Sequence, residues 1–246
     1  MITLILPYYD NPGMVEEHLK LFSKYTVMDS VEVIIVDDGS PRWPLRNQYK
    51  DCKKIIPHFR AFEIEVDIPW NWLAARNIGA YYTKSPWLIL TDIDHVILNQ
   101  HYRLLLNKKL DKKNIYLFDR RDCNRPISEE KGNFKLRYKK PHDDSFLMTK
   151  KMFWQGGGYD EELSGHYGTS GRYRSRMKFI CNEMIRLKDI HLIRYDREVI
   201  PDASTTTLKR KEGRNPEAIK KIEAKKKAEG RENDIKTLTF PYREIL

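Results

Sequence analysis

Two carboxylates one residue apart, Asp92 and Asp94, follow the apolar run Trp87-Leu88-Ile89-Leu90 and a single threonine. A short continuous apolar run reads as a strand buried on both faces. In an open α/β sheet the ligand lies just beyond the carboxyl ends of the strands, which would put both acids at the rim of a pocket. Carboxylates this close repel each other, and a hard divalent cation with oxygen ligands relieves the repulsion. The same acids could instead cap a loop or the following helix, and the pair alone leaves both readings open.

The elements that would position them precede them in the chain. Ile2 to Leu6 is a buried-strand pattern cut off by Pro7-Tyr8-Tyr9-Asp10. Asn11-Pro12 supplies an N-cap and a proline at the first helical position, with Val15, Leu19 and Phe22 on one helical face. Val31 to Val36 is a second strand, stopped by Asp37-Asp38-Gly39-Ser40-Pro41. Phe62, Ile64 and Val66 alternate as a third, and Trp70 to Tyr82 reads as a helix carrying Arg76 and Asn77 near its middle. Strands alternating with helices predict a parallel sheet with crossovers, and three acidic strand ends would share one edge.

Beyond residue 95 the pattern is less regular. Asn114 to Phe118, Ser145 to Thr149 and His191 to Ile200 are strand candidates, and Arg120 to His142 reads as a polar loop or hairpin. Tyr173 to Leu187 has Met177, Ile180, Met184 and Leu187 at helical spacing, methionines that read as core packing. From Leu208 to Arg231 there are ten Lys or Arg against four Glu. Asn215-Pro216 opens a helix there and Gly230 closes it, with Glu217/Lys221 and Glu223/Lys227 as i, i+4 pairs. Its thin apolar face, Ala218 and Ile222, fits a solvated helix or an electrostatic arm toward a polyanion. Leu238 to Tyr242 is apolar enough to dock back on the domain.

The 246 residues, 40% of them hydrophobic, suit one large domain or one domain with an appendage. Cys52, Cys123 and Cys181 are too scattered for a disulfide framework or a zinc site and suit a reducing compartment. The opening apolar stretch is too short for a signal-peptide core, and no run would span a bilayer. A cytoplasmic chain without a transmembrane segment is therefore expected. The net charge of +10 favours polyanionic neighbours: nucleic acid, acidic lipid or phosphorylated small molecules.

Five short motifs then stand in a familiar order: Leu6-Pro7-Tyr8-Tyr9, Val36-Asp37-Asp38-Gly39-Ser40, Ala75-Arg76-Asn77-Ile78-Gly79, Thr91-Asp92-Ile93-Asp94 and Gly157-Gly158-Tyr159-Asp160-Glu161. In order and spacing they resemble the family-2 glycosyltransferases of the GT-A fold, over roughly residues 1 to 200. The resemblance implies an open mixed α/β sheet with flanking helices. It divides the chain into a glycosyltransferase domain at 1–205, with a nucleotide-sugar half at 1–95 and an acceptor half at 96–205, and a basic helical tail at 206–246. It also implies a nucleotide-sugar donor, usually a uridine diphosphate sugar, and Mn2+ or Mg2+. Carried onto this chain, Pro7, Tyr8, Tyr9, Asp38, Arg76, Asn77 and Asp92 would bind the donor, and Asp92 and Asp94 the metal, with His95 a further metal candidate from its place directly after the paired acids, although the family more often supplies a late histidine. His191 and Asp202 are further candidates for the last metal ligand. The implied chemistry is an inverting displacement in which a carboxylate takes a proton from an acceptor hydroxyl.

The chain departs from its relatives at Ser170, in Tyr167-Gly168-Thr169-Ser170-Gly171, where the family places an acid at the start of a helix. A serine hydroxyl is no general base near neutral pH. Asp160, Glu161 and Asp144 are the alternative bases, unless the protein is impaired, engineered or only binds donor. The acceptor would be a glycan, a small molecule or, given the basic tail, a nucleic acid bearing a hydroxymethylated base, as in a viral genome. A catalytically silent nucleotide-sugar binding module competes with these readings. A nucleotidyltransferase is disfavoured, since the first strand ends without a Gly-rich phosphate loop.

Overall fold

A computed structural model of the chain describes residues 1–123, 127, 140–195, 198–201 and 214–245. Asp202 and the basic residues 209–211 lie outside the described residues. Strands β1 (Ile2–Tyr8), β2 (Val31–Asp37), β3 (His58–Ile64) and β4 (Trp87–Leu90) form the parallel part of the sheet, with β1 between β4 and β2. All seven residues of both β1 and β2 are buried, as continuous apolar strands covered on two faces must be. Leu4 and Leu6 point into one apolar core and Ile5 into another.

The crossovers are helices α1 (Pro12–Phe22), α2 (Tyr49–Ile55) and α3 (Trp72–Tyr82). Helix α1 starts on proline as the sequence predicts, but the Asn11 side chain makes no capping bond. Helix α3 starts two residues later than expected, because Trp70 has a left-handed φ of 61° that no helical residue adopts. It lies so close to β1 that a Cβ on Gly79 would come within 2.4 Å of Ile5 Cγ2.

Past β4 the sheet becomes mixed. Strand β5 (His95–Ile97), helix α4 (Asn99–Asn107), strands β6 (Ile115–Cys123) and β7 (Lys140–Thr149), helices α5 (Lys150–Gln155) and α6 (Ser170–Ile180), strand β8 (Met184–Tyr195), helix α7 (Pro216–Ala228) and strand β9 (Tyr242–Glu244) follow. The sheet order is β5-β8-β6-β7-β4-β1-β2-β3-β9. The helix expected over 173–187 ends at Ile180, and Met184 and Leu187 belong to β8. Strand β8 pairs in parallel with β6 from Ile115 onward, and that ladder outcompetes the local helical spacing.

The chain end folds back on the domain. Strand β9 pairs antiparallel with β3, and Leu238, Phe240 and Tyr242 pack against the core under α3. Helix α7 docks through Ile219 and Ile222. Its charges pair differently from the expected i, i+4 scheme: Glu217 with Lys220, and Glu223 with Arg172 of α6. Among the described residues no helix is long and apolar enough to cross a membrane.

The turn after β2 is sterically closed. Gly39 sits at φ 89°, and a Cβ there would lie 2.4 Å from the Val66 carbonyl oxygen and 2.9 Å from Asp67 Cα. Gly39→Ala is therefore expected to cost about 1–3 kcal/mol, read as a lowered denaturant midpoint at unchanged m-value, and to displace Asp38.

Candidate functional site

The carboxyl ends of β1, β2 and β4 open on a cavity of about 370 Å3. Pro7, Tyr8, Tyr9, Asp38, Asp92, Asp94 and His95 all line it. Two strand ends are tied together by the bond from Asp38 N to Tyr8 O, 2.9 Å. Tyr8 is buried and donates its hydroxyl to the Trp43 carbonyl, while Tyr9 donates to Asp67 at 2.9 Å. Asp38 is buried with an Oδ1 that meets no hydrogen-bond partner. Burial raises its carboxyl well above the usual range, helped by the neighbouring Asp37. Asn11 also lines this cavity, and its buried Oδ1 meets no hydrogen-bond partner.

Register brings the opposite wall in. Strand β7 runs antiparallel to β4 with Leu90 facing Phe146, and the Thr91 Oγ1–Ser145 Oγ hydrogen bond of 2.7 Å carries that pairing one step further. Continuing it sets His142, Asp143 and Asp144 alongside Asp92 to Asp94. Asp92, His95 and His142 each present a ligand atom, all within 4.8 Å of one another. The His95 and His142 ring centroids are 4.4 Å apart, and neither nitrogen of His95 makes a hydrogen bond. Burial keeps both imidazoles neutral, His142 down to about 4, so their lone pairs can ligate. Asp94 stands next to this cluster, with Oδ1 3.3 Å from His95 Nδ1. His142 is the member of this cluster that the sequence does not point to, and His191 lies apart from it, packed on His101 of α4 at 5.3 Å between centroids.

Arg76 and Asn77 reach the site only indirectly. Arg76 is fully buried, donates to Asp92 Oδ1 at 2.7 Å and to Tyr159 Oη at 3.0 Å, and lies 4.6 Å over the Trp72 ring. It orients Asp92 and offers no fork to a ligand. Asn77 accepts from Tyr159 N and donates to Tyr159 O and Glu161 Oε1, each at 2.8 Å, so it fastens the Gly-Gly-Tyr-Asp-Glu turn instead of meeting a nucleotide. Guanidinium groups do line the cavity from elsewhere: Arg120 on β6 and Arg194 on β8.

Asp160 and Glu161 also lie away from the cavity wall. Asp160 pairs with Lys226 of α7 at 2.6 Å. Glu161 accepts from Leu238 N, Thr239 N and Thr239 Oγ1 of the returning chain end. Asp144, the third candidate base, does line the cavity, as does Ser170 at the start of α6. Burial lifts the Asp144 carboxyl to about 6, against the opposing pull of Arg76 and with the Asp92 charge adding to the rise. Ser170 and the Asp144 carboxylate that arrives from β7 thus line one cavity.

The family model for glycosyl transferase family 2 matches residues 3–181. The chain belongs to glycosyl transferase family 2. Its fold is the GT-A arrangement of solved relatives. S. aureus TarS 1-349 in complex with UDP-GlcNAc is 12% identical, with a TM-score of 0.61 over 80% of this chain and 58% of that one. The mannosyltransferase PcManGT from Pyrobaculum calidifontis, in complex with GDP-Man and Mn2+, is 12% identical, with a TM-score of 0.59 over 78% and 56%. GalNAc-T7 with UDP, GalNAc and Mn2+ is 14% identical, with a TM-score of 0.55 over 80% and 44%. The family-2 chain described here thus spans less than two thirds of each of these structures. A comparison with curated proteins returns no match.

Proposed function

We propose that this chain is an inverting glycosyltransferase that moves a sugar from a uridine diphosphate sugar to an acceptor hydroxyl with the aid of a divalent ion. The observation that carries the reading is the convergence, in one cavity at the strand ends, of Asp38 with the Asp92–His95–His142 cluster. The bound UDP-GlcNAc, GDP-Man, UDP and Mn2+ of the structures with this fold support it.

Asp38 would pair with imide or hydroxyl groups of the nucleoside, and the planar forks of Arg120 and Arg194 suit the diphosphate. Asp92, His95 and His142 would hold the ion, with Asp94 adjoining. Two imidazoles beside one carboxylate favour Mn2+ over Mg2+, which prefers oxygen ligands. When bound, such an ion neutralises charge on the departing diphosphate. Asp144 would accept the proton of the acceptor hydroxyl as its oxygen bonds to the anomeric carbon. The bond from that carbon to the diphosphate oxygen breaks in the same step, and its electron pair leaves with the diphosphate.

Thermal unfolding with UDP-sugars, with and without Mn2+, tests the donor site. At a hundredfold excess over Kd, binding stabilises by about 2.7 kcal/mol. The Mn2+-dependent part of the Tm rise is expected to disappear in His142→Ala and in Asp94→Ala. Absence of stabilisation by any donor in the wild type would reject the proposal.

A further inference from the structure

Trp70 and Tyr167 are among the cavity residues to which the donor reading gives no task. They come from separate segments, Trp70 from the turn before α3 and Tyr167 from the loop before α6, yet their ring centroids are 4.9 Å apart at an interplanar angle of 57°. Trp70 is in none of the three apolar cores, so packing does not account for it. Its φ of 61° is a conformation that bulky residues avoid and glycine adopts freely. Such a residue persists only where the surrounding structure holds it, and outliers of this kind gather at ligand sites. Tyr167 is set by Gly165 and Gly168, at φ 87° and 90°, and Arg214 covers one of its faces with the guanidinium carbon 5.3 Å from the ring centroid. The half-buried indole of Trp70 stands beside it on the cavity wall.

We propose that Trp70 is the stacking platform of an acceptor subsite and that its occupant is a hexopyranose laid with its C–H face on the indole. This rests on the transferase reading and names its acceptor class. A nucleobase is flat and is held best between near-parallel faces, which rings tilted by 57° do not offer. A pyranose is thick, apolar on one face and rimmed with hydroxyls. Dispersion against the indole meets the apolar face. The rim donates to carboxylates, which are acceptors only, and Asp143 and Asp144 line the same cavity.

The test uses the full chain labelled with 5-fluorotryptophan. Fluorine NMR resolves the five tryptophans, and Trp70→Phe assigns the Trp70 signal. With UDP and Mn2+ present, methyl glucoside, galactoside, mannoside and N-acetylglucosaminide are titrated singly. A single strand containing 5-hydroxymethylcytosine is titrated in a parallel sample. At least one glycoside is expected to move the Trp70 signal. Trp70→Phe should bind that glycoside nearly as well, while Trp70→Ala should weaken it roughly tenfold or more with UDP affinity and Tm held. The proposal is overturned if no glycoside moves the signal, if only the oligonucleotide does, or if Trp70→Ala weakens UDP as much as the glycoside. UDP binding is read separately from the Tm shift. Its loss would reject the donor site, and the glycoside titration would still decide on Trp70.

Discussion

Asp144→Asn is expected to lower turnover by about 10²–10⁴-fold, the usual contribution of a positioned general base, while leaving the donor-induced Tm rise in place. The readout is UDP release from the donor in the presence of acceptor. Asparagine keeps the shape but cannot take a proton. The geometric case is that Asp144 alone among the three candidate bases lines the cavity, beside Asp92 on the neighbouring strand. It shares that cavity with Ser170 at the start of α6. Ser170→Asp in the Asp144→Asn background would put a carboxylate back at the helix start, and part of the lost turnover should return. Unchanged turnover in Asp144→Asn would remove Asp144 from the mechanism. A wild type that binds UDP-sugar and never releases UDP with any acceptor would favour the binding-module reading.

In the parallel half of the sheet β1, β2 and β4 were legible because they are buried on both faces and read as largely apolar runs, and β3 because Phe62 and Ile64 alternate. Helix α4 carries no such run: only His101, Tyr102 and Leu105 are buried, Leu106 is half-buried and Leu104 faces solvent. Strand β8 was hidden for a different reason, since Met177, Ile180, Met184 and Leu187 satisfy a helical period although the chain turns at Cys181. His142 was invisible for want of register. Its partners are about fifty residues away, and only the antiparallel pairing of β4 with β7 brings them together. The three polar residues His142-Asp143-Asp144 ahead of the apolar Phe146-Leu147-Met148 mirror the apolar-then-acidic order of β4, and that symmetry was the one available hint. Arg76, Asn77, Asp160 and Glu161 show the opposite failure. They stand in the right motifs, but buried polar groups must find partners, and these found one another, Asp92 and the chain end before any ligand.

Glu161 makes that distinction measurable. Its carboxylate accepts from Asn77 Nδ2 and Leu238 N at 2.8 Å and from Thr239 N and Thr239 Oγ1 at 2.7 Å, and it is buried. Glu161→Gln preserves the volume but turns one acceptor oxygen into an NH2 group that must face a donor. At roughly 1.5–3 kcal/mol for each charged hydrogen bond lost, with a buried donor then left unsatisfied, the expected loss is about 3 kcal/mol or more. That is a large share of the 5–15 kcal/mol that typically holds a domain together. The damage should be local first. Amide exchange should quicken at Leu238, Thr239 and along β9 before the parallel strands respond, because those groups anchor the returning segment to the turn at Tyr159-Asp160-Glu161. Were Glu161 the base instead, the same substitution would suppress turnover at an unchanged unfolding midpoint, and exchange along β9 would stay as slow as in the wild type. The two roles therefore predict opposite pairs of results for a single variant, and the four hydrogen bonds converging on this carboxylate favour the structural one.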